Sequence, residues 1–204
     1  MDLNDLNKLH IDVLGEIGNI GAGNAATALA KMLNKKVDMA VPKVRILEFK
    51  DVSETLGGAE TIVVGILLRV TGDLTGFIMF MLEHGAAQKL VNILMSDFAK
   101  AEDELNEIGI SALKEVGNIL AGSYISALST LTNLTIIPSV PDLAIDMAGA
   151  ILSVPAIEFG KVGDTVLYIE TEFTETNTKV AGDFFLVPDV ESYDILLKAL
   201  GVTS

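Results

Sequence analysis

Residues 12–42, DVLGEIGNIGAGNAATALAKMLNKKVDMAVP, return ninety-nine positions later as 111–141, SALKEVGNILAGSYISALSTLTNLTIIPSVP. In the first copy Asp12 precedes Glu16 and Asn19, with Pro42 following the asparagine after twenty-two intervening residues. In the second, Ser111 precedes Glu115 and Asn118, and Pro141 follows at the same interval. Aligned without a gap, 16–42 and 115–141 share 11 of 27 residues, where unrelated segments of average composition share about two. A period this long marks a duplicated half-domain and not a solenoid, whose repeats run about 20–50 residues.

Working outward, each copy opens with a helix. Leu6, Leu9, Val13, Ile17 and Ile20 recur at helical spacing, and helix formers continue to about Leu33. Asp2 and Asp5 suit the positive end of that helix; Glu102, Asp103 and Glu104 lead into its counterpart, which runs to about Leu131. An extended segment follows each: Val37–Phe49, and Leu134–Pro141. Then come two strand pairs, Thr61–Val70 with Leu74–Leu82 and Thr165–Thr174 with Lys179–Val187. The first pair is almost wholly apolar, as expected for a sheet with one or both faces covered. Amphipathic stretches near Gly85–Met95 and Glu191–Leu200 close the halves. The expected fold class is α+β, one domain over 1–204. Its repeats, 1–96 and 97–204, each read helix-strand-strand-strand-helix, are related by a pseudo-twofold and share a sheet. They join across Ser96–Asp103.

After Pro141 the halves diverge. Leu143, Met147 and Ile151 recur every four positions, and Asp142 offers a cap. A short amphipathic helix over 142–152 is therefore expected, breaking the pseudosymmetry.

Composition narrows the function. Half of the 204 residues are apolar, but every apolar run falls short of the roughly 18–20 residues a membrane span needs. The first ten residues, MDLNDLNKLH, are too polar and acidic for a secretory signal, so a cytoplasmic location is expected. A net charge of −14 argues against nucleic acid and anionic membranes as partners. The absence of cysteine excludes a thiol nucleophile and thiolate metal sites. His10 and His84 are isolated, and Gly21-x-Gly23-x-x-Ala26 lies within helical pattern instead of opening a helix after a strand, so it is no dinucleotide site.

Residues at i and i+3 on a helix lie on one face, about 5–6 Å apart at Cβ. Glu16 and Asn19 therefore reach one object, as do Glu115 and Asn118; Asp12 and Ser111 extend each stripe by a turn. Gly18 and Gly117 sit inside helices, where glycine costs about 0.5–1 kcal/mol relative to alanine. A single such stripe would read as solvated surface; its recurrence at matched spacing favours function. Met79 and Met81, in a strand, read as core.

The doubled Asp/Ser-x₃-Glu-x₂-Asn-x₂₂-Pro pattern resembles the signature of the CheC/CheX/FliY family of chemotaxis phosphatases. GEIGNIGAGNAATALAKML and ALKEVGNILAGSYISAL are most similar to its stand-alone CheC type. That resemblance implies a CheC-like fold and hydrolysis of the phospho-aspartate of the response regulator CheY. Asn19 and Asn118 would hold the attacking water, while Glu16 and Glu115, with Asp12 and Ser111 beside them, would meet the regulator. It implies no cofactor on this chain, with magnesium carried by the regulator. It further implies binding of the receptor deamidase CheD through Asp146 and Met147, and a monomeric protein. The alternative is a non-catalytic binding or scaffold module of the chemotaxis or flagellar-switch apparatus.

Overall fold

Two helices of 26 residues dominate the chain: α1, Lys8–Leu33, and α4, Glu107–Thr132. They belong to a computed structural model that describes residues 8–34, 36–95, 105–159, 165–175 and 178–201. The side chain of Asn106 caps α4 by accepting from the Gly109 N–H at 2.9 Å. Asn133 ends that helix in the left-handed region (φ 57°), and Asn34 does the same after α1 (φ 51°). Asparagine is the side-chain-bearing residue that best tolerates this conformation, and the duplication preserves it at both C-termini. The acidic lead-ins at 2, 5 and 102–104, and the join at 96–103, lie outside the described residues.

Among the described residues, seven strands form one antiparallel sheet: β1 Asp38–Glu48, β2 Ile62–Gly72, β3 Gly76–Glu83, β4 Ile136–Pro138, β5 Asp142–Met147, β6 Thr165–Glu175 and β7 Thr178–Pro188. The order is β1-β6-β7-β3-β2-β4, with β5 also on β2. Each half keeps its own hairpin, β2–β3 or β6–β7, but lends its first strand to the hairpin of the other half. The registers match. Lys43 pairs with Glu170 and Glu48 with Thr165; Asp142 pairs with Leu67 and Met147 with Ile62. The pseudo-twofold passes between β3 and β7, and it runs through the sheet, so the halves interlock as one domain.

That register corrects the expected helix over 142–152. Residues 142–147 are strand β5, the counterpart of Lys43–Glu48 in β1, and the helix begins only at Ala148. Asp142 opens the strand and caps nothing. A spacing of four fits a helix, but four is also a multiple of the strand period of two. Leu143, Ile145 and Met147 share one face of β5, and the free edge of β2 supplies the hydrogen bonds. The gap between β4 and β5, residues 139–141, matches the register shift between Ala40 and Lys43 in β1. Pro42 and Pro141 fall at these irregularities, where a ladder does not need the N–H that proline lacks. The real asymmetry comes next. The first half has a 3₁₀ turn, Phe49–Asp51, and the four-residue α2, Val52–Thr55; the second has the twelve-residue α5, Ala148–Phe159.

Both faces of the sheet are covered. On one face Val64, Ile66, Leu68, Ile78, Phe80, Ile169 and Phe184 pack under α1, α4, α3 (His84–Met95) and α6 (Val190–Ala199). On the other, Val63, Phe77, Met79, Met81, Tyr168 and Phe185 pack with α2 and α5. Met79 and Met81 are core, as expected. Among the described residues no helix is long and apolar enough to cross a membrane.

Candidate functional site

The two repeated motifs lie on α1 and α4, side by side over one face of the sheet. Leu14 and Ile17 on α1, and Leu113 and Val116 on α4, are buried against the strands. The opposite stripe of each helix points to solvent: Asp12, Glu16 and Asn19 are exposed on α1, and Ser111, Glu115 and Asn118 on α4. The structure therefore brings each predicted set together on one accessible face. Ser111 donates back to the Glu107 carbonyl at 2.9 Å, a helical habit of serine.

The glycine beside each asparagine has a packing reason. A methyl group at position 117 would lie 2.5 Å from Ile66 Cγ2, and one at 18 would lie 3.3 Å from Val41 Cγ1 and 3.8 Å from Ile169 Cγ2. The helices thus press on the sheet with bare backbone immediately below Asn118 and Asn19. Gly21 meets the other helix instead: a methyl there would lie 2.6 Å from Tyr124 Cδ1. Tyr124 in turn stacks on Phe184 with ring centroids 4.4 Å apart and reaches the Thr171 hydroxyl at 3.3 Å. Each asparagine accordingly stands on a helix whose depth and lateral position are both set by contact.

A pseudo-twofold perpendicular to the sheet makes α1 and α4 antiparallel. With Gly21 opposite Tyr124, each helix position i on α1 faces about 145 − i on α4, so Glu16 and Glu115 stand fourteen residues apart along the pair, about 20 Å. Beside Glu16 the helices part into an open groove of about 480 Å³, lined by Val13, Ile17, Ile20, Thr130 and Leu131. Ile20 is 48% exposed and Leu131 51%. Val13, Ile17 and Ile20 carry the helical periodicity read from sequence, but that periodicity points to a face packed on the core and not to an open groove.

Asp146 and Met147 lie elsewhere, on the exposed edge strand β5 and on the far side of β2 from α1. The Asp146 carboxylate accepts from the Met147 N–H at 2.7 Å. Leu143, Ala144, Asp146 and Ile151 help line a separate hollow of about 310 Å³ between β5 and α5. Among the described residues, no three acidic or histidine side chains converge as a metal site.

Among the described residues, each face presents a carboxylate and a carboxamide, beside Asp12 on α1 and beside a Ser111 hydroxyl that is turned back to its own helix on α4. Such a pair can dock a cation and orient one water, but needs its reactive group to arrive on a partner.

Comparison with known proteins agrees with the duplication. The model of the CheC-like family matches residues 9–46 and 108–145, the two motif-bearing segments. The chain is 38% identical over 204 residues to the CheY-P phosphatase CheC of Bacillus subtilis (strain 168), covering 98% of both proteins. It is 31% identical over 131 residues to the flagellar motor switch phosphatase FliY of the same organism, covering 64% of this chain and 34% of FliY. The crystal structure of Thermotoga maritima FliY superimposes with a TM-score of 0.75 at 25% identity, over 96% of this chain and 98% of that one. With duplicated motif, interlocked sheet and near full-length relationship in agreement, the chain belongs to the CheC-like family.

Proposed function

We propose that the protein hydrolyses the phospho-aspartate of a CheY-type response regulator at two sites, one on each motif helix. The observation that carries this is the pair of exposed Glu-x-x-Asn faces, each seated on the sheet through the glycine before its asparagine. The full-length relative named a CheY-P phosphatase supplies the substrate class.

The side chains suit the chemistry. An acyl phosphate is already activated, and phosphoryl transfer is catalysed by positioning and electrostatics more than by a strong base. A carboxamide is neutral and offers both a donor and an acceptor to one water. Asn19 or Asn118, brought beside the phosphoryl group, holds a water in line. The water oxygen bonds to phosphorus as the bond from phosphorus to the aspartyl oxygen breaks, leaving inorganic phosphate and the free carboxylate. Freezing that geometry supplies several kcal/mol by proximity. Glu16 or Glu115 pairs with a lysine of the regulator and fixes the register of docking; magnesium stays with the regulator.

The edge of β5 is proposed as a second surface, where Asp146 and Met147 bind the deamidase CheD away from both Glu-Asn faces. What supports it is an exposed strand edge carrying an acid and a methionine that is 44% exposed.

Phosphate release from phosphorylated CheY tests the catalytic reading. Asn19→Ala with Asn118→Ala removes nearly all turnover and leaves the fold intact, because both amides are exposed; each single change leaves partial activity. A double variant with wild-type turnover refutes water positioning by these residues.

A further inference from the structure

The duplication preserves the working residues but not what flanks them. Offsetting α1 by 99 residues places Gly15 on Lys114, Thr130 on Lys31 and Asp12 on Ser111. Position 15 lies on the outer flank of the Glu16 stripe, with open space around it. Thr130 lies on the inner flank, across the groove that Glu16 lines. The same geometry, turned by the pseudo-twofold, puts half-buried Lys114 on the outer flank of Glu115 and exposed Lys31 on its inner flank. Among the described residues, these matched positions give one face a second acid and no cation, and the other a serine and two lysines. Glu107 on α4 runs the other way, but it is eight residues from its motif glutamate. That is about 12 Å along the axis, beyond the screening length of roughly 8–10 Å.

We infer that the two faces are graded docking sites. The Glu16–Asn19 face binds tightly any regulator that presents a cation to the motif carboxylate. Lys31 and Lys114 hold the Glu115–Asn118 face to weaker docking. This rests on the phosphatase reading and names Lys31 and Lys114 as its specificity determinants. They act on the encounter and not on the chemistry, because Asn118 stands on α4 as Asn19 stands on α1. The two faces differ in KM and share a kcat. Exposed charge pairs of this kind change affinity about 1.4- to fivefold each at ordinary salt, so two lysines give a gap of roughly tenfold.

The test uses the full chain and CheY phosphorylated from a small phosphoryl donor. Asn118→Ala leaves the first face alone, and Asn19→Ala the second. At low salt the first face shows the lower KM, by about tenfold, and the gap closes as salt rises. In the Asn19→Ala background, Lys31→Thr with Lys114→Gln lowers KM several-fold at unchanged kcat. In the Asn118→Ala background, Thr130→Lys raises it. Equal KM values for the two faces at low salt overturn the grading. So does a KM that rises when the lysines are removed, which would mean that they greet the phosphoryl group. Failure of the phosphatase reading is separate: it is seen when wild type releases no phosphate, or when the double asparagine variant releases as much as wild type.

Discussion

Replacing Gly117 with alanine tests whether the glycine before each asparagine sets the depth of its helix. The new methyl would sit 2.5 Å from Ile66 Cγ2 and 3.2 Å from Cδ1. Ordinary carbon–carbon contact is about 3.5–4.0 Å, so roughly 1 Å must be found. Ile66 is fully buried on β2 and its Cγ2 is branched directly from Cβ, so it cannot swing aside and α4 must lift. Overpacking of this kind costs about 1–3 kcal/mol, while alanine returns about 1 kcal/mol of helix propensity. The net is a loss of about 0–2 kcal/mol. Gly18→Ala is the control: its methyl meets Val41 Cγ1 at 3.3 Å, a few tenths short of contact, against half-buried Val41. There the propensity gain dominates, and stability is unchanged or raised by up to about 1 kcal/mol. Urea denaturation gives both values. In the Asn19→Ala background, where the second face works alone, Gly117→Ala also cuts phosphate release, because lifting α4 moves Asn118 with it. A Gly117→Ala protein as stable as Gly18→Ala, with undiminished second-face turnover, refutes the seating argument.

Two further outcomes follow from the rest of the molecule. Asp183, on β7, accepts from the Tyr168 hydroxyl at 2.7 Å; burial above all, with Glu170 and Glu83 nearby, raises its pKa to about 6 against the pull of Tyr168 and Arg45. A carboxyl whose folded pKa lies above its unfolded value of 3.8 costs stability as pH rises from about 4 to about 6, by roughly 1–3 kcal/mol once fully ionised. Asp183→Asn therefore raises the urea midpoint at pH 7.5 and changes it little at pH 4; equal gains at both pH values contradict the assignment. At the other edge of the sheet, Asp146→Lys abolishes capture of CheD in a pull-down and spares phosphate release, and a variant that holds CheD as tightly as wild type removes Asp146 from that surface.

The motif was legible because it is costly. Glycine and asparagine inside a helix are both poor choices locally, so their recurrence at 18–19 and 117–118 announced a reason beyond propensity. The exposed Glu-Asn stripes, both long helices and both hairpins follow from periodicity over segments long enough to carry it. Strand β5 did not, because its six residues are followed by a helix and the spacing of Leu143, Met147 and Ile151 serves both periods. What decides between them is the open edge of β2, about eighty residues away, which leaves no local trace at 142–147.

The exchange of strands between halves was equally hidden, and it bears most directly on the site. Pairing of β1 with β6, and of β5 with β2, depends on edges contributed across more than a hundred and about eighty residues respectively. No window of sequence displays either. Its consequence is that each motif helix stands partly on the other half: Gly117 of α4 presses on Ile66 in β2, and Gly18 of α1 approaches Ile169 in β6 as well as its own Val41. Each half is therefore part of the floor beneath the other's asparagine. On the proposed reading, losing one amide costs one site and nothing of the fold, whereas losing one half removes the platform of both. Under that arrangement the flanking charges of the two faces are free to drift apart, as Lys31 and Lys114 have from Thr130 and Gly15, while the buried glycines are not.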